Sequence, residues 1–379
     1  MTPGDPEVRL TIQNPAPNPD RPAEAPLRLP GVLLDELREW LAQQGHERYR
    51  AEQIAEWVFR RRVERFEDMT NLAKPLRAWL AERAAVACST VLRMACSTDG
   101  TRKLLLGWPD GAAVETVWIP ADDRDTVCVS SQVGCPVGCR FCASGLDGVE
   151  RNLAADEIVE QVLRVARLID AEGGAPARGR RATGVTNVVL MGMGEPLANY
   201  RNVVRALRIL NAPWGLGLGA RRITLSTVGL PKQIRLLADE GLPINLALSL
   251  HAPDDALRRE IIPWAERVSV AELLDACQHY FQRTGRELTL EYVLLAGVND
   301  RPAQARALAR IARRLRANVN LLRYNPVPGL PFERPDAAAA HAFQSLLREQ
   351  GVNSHIRSSR GSDVAAACGQ LRRSAGGGA

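Results

Sequence analysis

The sequence predicts an α/β protein: parallel strands wound with helices into a partial barrel or an open doubly wound sheet, with a small helical domain in front. Three observations carry this. The 379-residue length exceeds a small stapled domain and admits a barrel-type unit with an accessory domain. From residue 125 onward, short apolar runs alternate with amphipathic segments, and such alternation gives parallel strands joined by right-handed crossovers. About six such units can be counted, too few for a closed eight-fold barrel.

Residues 1–30 hold eight of the 24 prolines and show no amphipathic period, so they read as a flexible leader. They lack the apolar stretch of a secretory signal. Residues 31–98 form a helical accessory domain. Its stripes are Leu33, Leu34, Leu37, Trp40 and Leu41, then Ile54, Trp57 and Val58, then Leu72, Leu76, Trp79 and Leu80. Residues 99–125 read as a β-hairpin extension, because runs at 103–108 and 114–119 flank the turn Pro109-Asp110-Gly111. The core spans 126–360. Its strands are expected at 126–130, 187–191, 222–226, 244–249, 288–294, 319–323 and 352–356. Its helices are expected at 155–169, 200–210, 270–281, 303–316 and 337–349. Residues 361–379 form a C-terminal segment that carries Cys368 and ends in a basic, glycine-rich tail.

Hydrophobic residues at 46% and charged residues at 24% exclude general disorder. No apolar run approaches the ~18 residues of a membrane span, so no membrane association and a cytoplasmic location are expected. The net charge of +6 permits a polyanionic partner without requiring one. Arginines supply much of it, among them Arg178, Arg180 and Arg181, and the Arg60–Arg62 run.

Polar and glycine residues gather where the parallel strands end: Gly192, Gly194 and Glu195, then Ser226 to Gly229, then Ser249-Leu250-His251, then Tyr324-Asn325. Ligands bind at that end of such folds. Of eight cysteines, four (Cys128, Cys135, Cys139 and Cys142) fall within fifteen residues. The last three have the spacing C-x3-C-x2-C. Three thiolates on one loop suit an iron–sulfur cluster or zinc. A structural zinc site normally takes four ligands, and the second cysteine pair is missing. Taken singly, Glu115 is an exposed strand carboxylate, Cys128 a buried strand cysteine and His251 a satisfied loop or core histidine. Cys88, Cys96 and Cys277 read as structural.

The stretches VCVSSQVGCPVGCRFCASG, RNLAADEIVEQV, VVLMGMGEPLANY, ITLSTVG, NLALSLHAP, GVND, NLLRYNP and AACGQL span roughly residues 115–371. In this order the chain resembles the RlmN/Cfr family of radical S-adenosylmethionine (SAM) RNA adenine methyltransferases. The resemblance implies a partial (β/α)6 TIM-like barrel with a small N-terminal helical domain. It implies a [4Fe-4S] cluster on Cys135, Cys139 and Cys142, and SAM bound by Gly194, Glu195, Ser226, Ser249, Leu250, His251 and Asn325. It implies Cys368 as the methyl-accepting cysteine, Glu115 as proton acceptor, and Cys128 as a resolving thiol that forms a transient disulfide with Cys368.

The RlmN-type activity so implied is methylation of adenine carbon 2 in 23S rRNA and tRNA. A flavodoxin or ferredoxin is the expected electron donor and a monomer the expected state. Arg357, Arg360 and Arg372–Arg373 flank Cys368 and are candidates to meet RNA phosphates, as is the Arg60–Arg62 run. Three alternatives stay open. The Cfr type methylates carbon 8 of adenine in 23S rRNA and confers antibiotic resistance. A radical SAM enzyme of a small molecule would leave Cys128 and Cys368 idle. A zinc-bearing RNA-binding protein would not catalyse. The chain departs from the family pattern at Pro263-Trp264-Ala265-Glu266, where Pro-x-Asn is more usual, and in the glycine- and arginine-rich insert 173–181.

Overall fold

The computed structural model describes residues 26–172 and 184–372. Residues 1–25, the insert 173–181 with Arg178, Arg180 and Arg181, and Arg373 lie outside the described residues.

The described chain opens with the short strand β1 (Leu27–Arg28), followed by helices α1 (Leu34–Gln43), α2 (Arg50–Ala55) and α3 (Lys74–Arg83). The apolar stripes read from the sequence face inward: Leu37, Leu41, Ile54, Leu76 and Leu80 are buried. Strand β2 (Ala84–Ala85) returns in parallel to β1.

Four strands follow: β3 (Thr90–Cys96), β4 (Arg102–Gly107), β5 (Ala113–Ala121) and β6 (Arg124–Cys128). Each pairs antiparallel with the next. The β4–β5 turn forms as its residues require. Gly111 takes φ +81°, and the Ala112 amide donates to the Asp110 carboxylate at 3.1 Å. The sequence reading ends the helical domain at 98 and starts a hairpin at 99. The structure instead begins the sheet at Thr90. Strand β3 is an edge whose residues are nearly all exposed, so it carries no in–out alternation to read.

A small ladder, β7 (Gln132–Gly134) with β8 (Val149–Asn152), brackets the cysteine loop. The barrel units then run α4 (Ala155–Ala171), β9 (Asn187–Leu190), α5 (Tyr200–Asn211), β10 (Ile223–Thr227), α6 (Pro231–Asp239), β11 (Asn245–Ser249), α7 (Asp255–Ile261), α8 (Val270–Thr284), β12 (Thr289–Leu294), α9 (Pro302–Leu315), β13 (Asn318–Arg323), α10 (Ala337–Glu349) and β14 (Ser354–Arg357). Strands β6 and β9 to β14 lie side by side in chain order, all parallel, and β5, β4 and β3 extend the same ten-stranded sheet beyond β6. The edges, β3 and β14, do not pair, so the barrel is partial, as the sequence reading holds. Helix ends carry the expected caps. Ser269 and Glu272 form a reciprocal box at α8, which Gly285 ends in the left-handed region.

Two sets of contacts shape the molecule around its open seam. The N-terminal helices dock on α4 and α5. The Glu160 carboxylate accepts from the Cys88 and Ser89 amides and from Ser89 Oγ, at 2.9, 2.7 and 2.6 Å. The Arg60–Arg62 run belongs to this docking: Arg60 donates to the Pro213 carbonyl, and Arg62 pairs with Asp170 at 2.7 Å. At the other side, the chain beyond β14 crosses the seam to the β3–β4 turn. The Gly361 amide donates to Asp99 at 3.0 Å, Ser97 Oγ to Asp363 at 2.6 Å, and Lys103 Nζ to the Ala365 carbonyl at 3.1 Å. Residues 361–372 are thus tied to both ends of the sheet.

Candidate active site

The C-terminal ends of the parallel strands enclose a cavity of about 960 Å³, its open mouth included. Cys135, Cys139, Cys142, Gly194, Glu195, Ser226, Ser249, His251, Asn325 and Cys368 all line it. Leu250 does not. Its side chain is buried, and its amide donates to the Glu291 carbonyl. Glu115 and Cys128 do not line the cavity.

Glycines shape the cysteine loop. Gly134 has φ +79°, and a Cβ there would lie 2.0 Å from the Gly148 carbonyl oxygen. The Arg140 amide donates to the Ile261 carbonyl, the Ala143 amide to the Gly369 carbonyl at 2.7 Å, and Ser144 Oγ to the Leu371 carbonyl at 2.7 Å. The loop is therefore pinned to α7 on one side and to the Cys368 segment on the other. Burial pushes the Cys135 thiol up to about 12, and the neighbouring Cys142 adds to it. Burial and the other two thiols push Cys139 well above the ordinary range, and burial also raises Cys142. Three such thiols ionise together only when a cation replaces their protons, as metal binding does. No three His, Cys, Asp or Glu side chains among the described residues are arranged to hold one metal ion. A four-iron cluster needs no such focus, since each thiolate takes a different iron. The donor set therefore suits a cluster better than a single zinc.

The opposite wall is built on close backbone approach. Gly194 has φ +103°, and a Cβ there would lie 2.7 Å from Ser131 Oγ and Gln132 Cβ and 2.8 Å from the Gln132 amide nitrogen. Beside it, Glu195 is buried, and its carboxylate accepts from Thr227 Oγ1, the Val228 amide and the Leu197 amide at 2.7, 2.8 and 2.9 Å. Burial outweighs these bonds and pushes Glu195 up to about 7. Ser226 and Ser249 share a hydroxyl contact at 3.1 Å. His251 has φ +57°, and its ring meets the Phe141 ring edge-on at 5.0 Å. Its Nδ1 accepts from the Val293 amide at 3.0 Å, and burial first, then Arg258, drives its pKa down to about 3. Both the accepted hydrogen bond and the lowered pKa favour the neutral imidazole.

Cys368 is held in the cavity mouth by its backbone. Asn325 Nδ2 donates to the Cys368 carbonyl at 3.1 Å, and Ser359 Oγ donates to Asn325 Oδ1 at 2.6 Å. The Cys368 side chain keeps exposed surface. Desolvation raises its thiol, and the Arg357 guanidinium opposes the shift. Cys128, on β6, is buried, and desolvation and the nearby Cys368 push it up to about 12. Both are free thiols here. Glu115, on β5, is buried rather than exposed. Its carboxylate pairs with Lys103 at 2.8 Å and accepts from the Arg372 amide at 2.9 Å. Arg372 also pairs with Asp147 at 2.9 Å.

Sequence reasoning missed part of the wall. Glu291 and Tyr292 line the cavity. Glu291 accepts from Asn320 Nδ2 at 2.9 Å and lies 3.7 Å from Arg357. A buried acid in an apolar strand was the available signal.

Comparison with known proteins gives this site its class. Residues 129–309 match the Radical SAM superfamily model, and residues 28–86 match the ribosomal RNA large subunit methyltransferase N-terminal domain. The chain is 46% identical to a radical SAM methyltransferase of known structure from Sphaerobacter thermophilus, with TM-score 0.87, over 92% of this chain and 99% of that one. Several relatives are named probable dual-specificity RNA methyltransferase RlmN. That of Rhodopirellula baltica is 46% identical over 90% of each chain. That of Thermus thermophilus is 47% identical over 89% of this chain and 92% of its own. The chain belongs to the RlmN family of radical SAM RNA methyltransferases. It is an SAM-dependent enzyme, and its cofactors are a [4Fe-4S] cluster and SAM. The non-catalytic zinc-protein alternative is thereby set aside. No helix among the described residues is long and apolar enough to cross a membrane.

Proposed function

We propose that this enzyme methylates carbon 2 of adenine in 23S rRNA and in tRNA, in the cytoplasm, through a methylated Cys368. One observation carries the reading: Cys368 shares a cavity with the three-cysteine loop and Glu195, and Asn325 anchors its backbone there. Carbon 2 of adenine is electron-poor, so direct displacement on SAM by that carbon is unfavourable. The cluster and SAM, when bound, supply one-electron chemistry that a protein lacks. The rest falls to the chain.

Cys135, Cys139 and Cys142 hold the cluster. Glu195, with Gly194, binds the SAM amino group, and the three hydrogen bonds that its carboxylate accepts hold it in place. Ser226, Ser249, Asn325 and the backbone of Leu250 and His251 complete the SAM site. Cys368 accepts the methyl group as a thiolate, and Arg357 favours that form. Glu115 accepts the proton from the adenine carbon. It is reached when the Arg372 amide lets go of it, a movement that also shifts the Cys368 segment. Cys128 then attacks the Cys368 sulfur to form a transient disulfide; the bond from that sulfur to the adenine-bound carbon breaks with its electron pair on the carbon, which takes up a proton to become the methyl group, and the reductant afterwards restores both thiols. The proximity of Cys128 to Cys368 supports this role. A monomer and a flavodoxin or ferredoxin donor complete the proposal.

The test is nucleoside mass spectrometry after anaerobic incubation with SAM, reductant and unmodified 23S rRNA or tRNA. 2-Methyladenosine from both RNAs is expected. 8-Methyladenosine moves the enzyme to the carbon 8 type. No methyladenosine, from iron-replete protein that cleaves SAM, overturns the reading.

A further inference from the structure

The largest fully buried side chain among the described residues is a cation, Arg258, with no solvent exposure. It sits on α7 behind the cavity wall. Nη2 donates to the Val228 carbonyl at 2.6 Å and Nε to the Leu250 carbonyl at 3.3 Å. Nη1 is buried without a hydrogen-bond partner. Among the described residues no carboxylate forms an ion pair with it. The nearby Asp255 spends Oδ1 on the Val270 amide at 2.7 Å. A buried guanidinium with a spare donor and no counter-charge is a costly arrangement that calls for an anion.

The surroundings say where the anion lies. Cys139 is the largest favourable electrostatic neighbour of Arg258, ahead of Asp255. The Arg140 amide bonds to the Ile261 carbonyl at the end of α7, so the helix that carries Arg258 is fastened to the cysteine loop. Cys139 lines the cavity and Arg258 does not. The guanidinium thus stands behind the cavity wall, with Cys139 on the loop and His251 on the wall as its electrostatic neighbours. A guanidinium stays charged at neutral pH.

A cluster on three thiolates is an anion, and reduction adds one more negative charge. A buried cation beside it favours the reduced form, and hydrogen bonds toward cluster sulfur act in the same direction. We infer that Arg258 is the built-in counter-cation of the cluster, a positioning residue whose charge and spare Nη1–H raise the cluster's reduction potential. This rests on the assignment of Cys135, Cys139 and Cys142 as cluster ligands.

The test is an anaerobic redox titration of the reconstituted full chain without SAM, followed by electron paramagnetic resonance, with iron and sulfide content measured alongside. Arg258→Gln should lower the reduced-to-oxidised ratio at fixed potential at least tenfold, a downward shift of about 59 mV for one electron. Arg258→Lys keeps the charge but loses the forked donor, and should shift less in the same direction. If Arg258→Gln does not accumulate, the uncharged Arg258→Met is read in its place, and an unchanged potential there overturns the inference. An unchanged potential in iron-replete Arg258→Gln overturns it too. So does a shift that appears only when SAM is added, which would assign Arg258 to the SAM carboxylate. Wild-type protein that takes up no iron would instead overturn the ligand assignment beneath it.

Discussion

Replacing Gly194 with alanine tests how the cavity wall is built. A Cβ at this position would lie 2.7 Å from Ser131 Oγ and Gln132 Cβ and 2.8 Å from the Gln132 amide nitrogen. The hydroxyl can rotate away, but the backbone nitrogen cannot. The Gln132 amide donates to the Met193 carbonyl at 3.3 Å, and its side-chain oxygen accepts from the Glu195 amide at 2.8 Å. Overpacking of this kind costs about 1–3 kcal/mol, and φ +103° adds about 1–3 kcal/mol for a residue with a side chain. The expected loss is therefore about 2–6 kcal/mol. Gly241→Ala is the control: its φ is +68°, but nothing lies within 4 Å of its Cβ. It should lose only about 1–2 kcal/mol. Urea unfolding of the iron-free chain reads both. Equal losses for the two variants would refute the close-approach account. In the loaded enzyme, Gly194→Ala should also weaken SAM binding, because it displaces the partner of the Glu195 amide.

Four further outcomes follow from the same geometry. Alanine at Cys135, Cys139 or Cys142 should abolish iron retention after reconstitution, whereas Cys277→Ala, buried and far from any predicted role, should retain it. Glu195 has a folded pKa of about 7 against an ordinary 4.5, so between those values the folded state holds the extra proton and stability falls as pH rises. That shift corresponds to about 3 kcal/mol across the window, and Glu195→Gln should flatten the slope between pH 5 and 7 in urea titrations. SAM affinity should rise with pH over the same range in the wild type, as the carboxylate ionises to meet an ammonium group, and a flat profile would contradict the assignment. Glu160→Gln weakens the three bonds from Cys88 and Ser89, should cost about 2–4 kcal/mol, and should expose the 84–90 connection to limited proteolysis.

Much of the fold was legible because its parallel strands are apolar runs closed by glycine and polar residues. The strand read at 288–294 is β12 at Thr289–Leu294, and the helix read at 337–349 is α10 over the same residues. The misses have physical causes. Helices α6 and α7 are short, and α6 opens at Pro231, so neither shows enough turns to register a period. Strand β3 lies exposed at the sheet edge and does not alternate. The cysteine loop was legible from spacing alone, but its fastening to Leu371 and Ile261 is tertiary and leaves no local mark. Glu115 reads as an exposed carboxylate because its partners, Lys103 on the adjacent strand and Arg372 near the C-terminus, meet it only in the fold. Arg60–Arg62 reads as an RNA-facing run, yet Arg60 and Arg62 fasten the N-terminal helices to the barrel.

The central claim is that Cys368 carries the methyl group to RNA. The direct measurement is a single-turnover transfer. Protein is first methylated with SAM bearing an isotopically labelled methyl group, freed of excess SAM, and then given unlabelled SAM, reductant and RNA under anaerobic conditions. Intact-protein and nucleoside mass spectrometry follow the label. The account predicts label on Cys368 before RNA is added and label in 2-methyladenosine after one turnover, with neither seen in Cys368→Ala. Unlabelled methyladenosine in the first turnover, or product from Cys368→Ala, would contradict it.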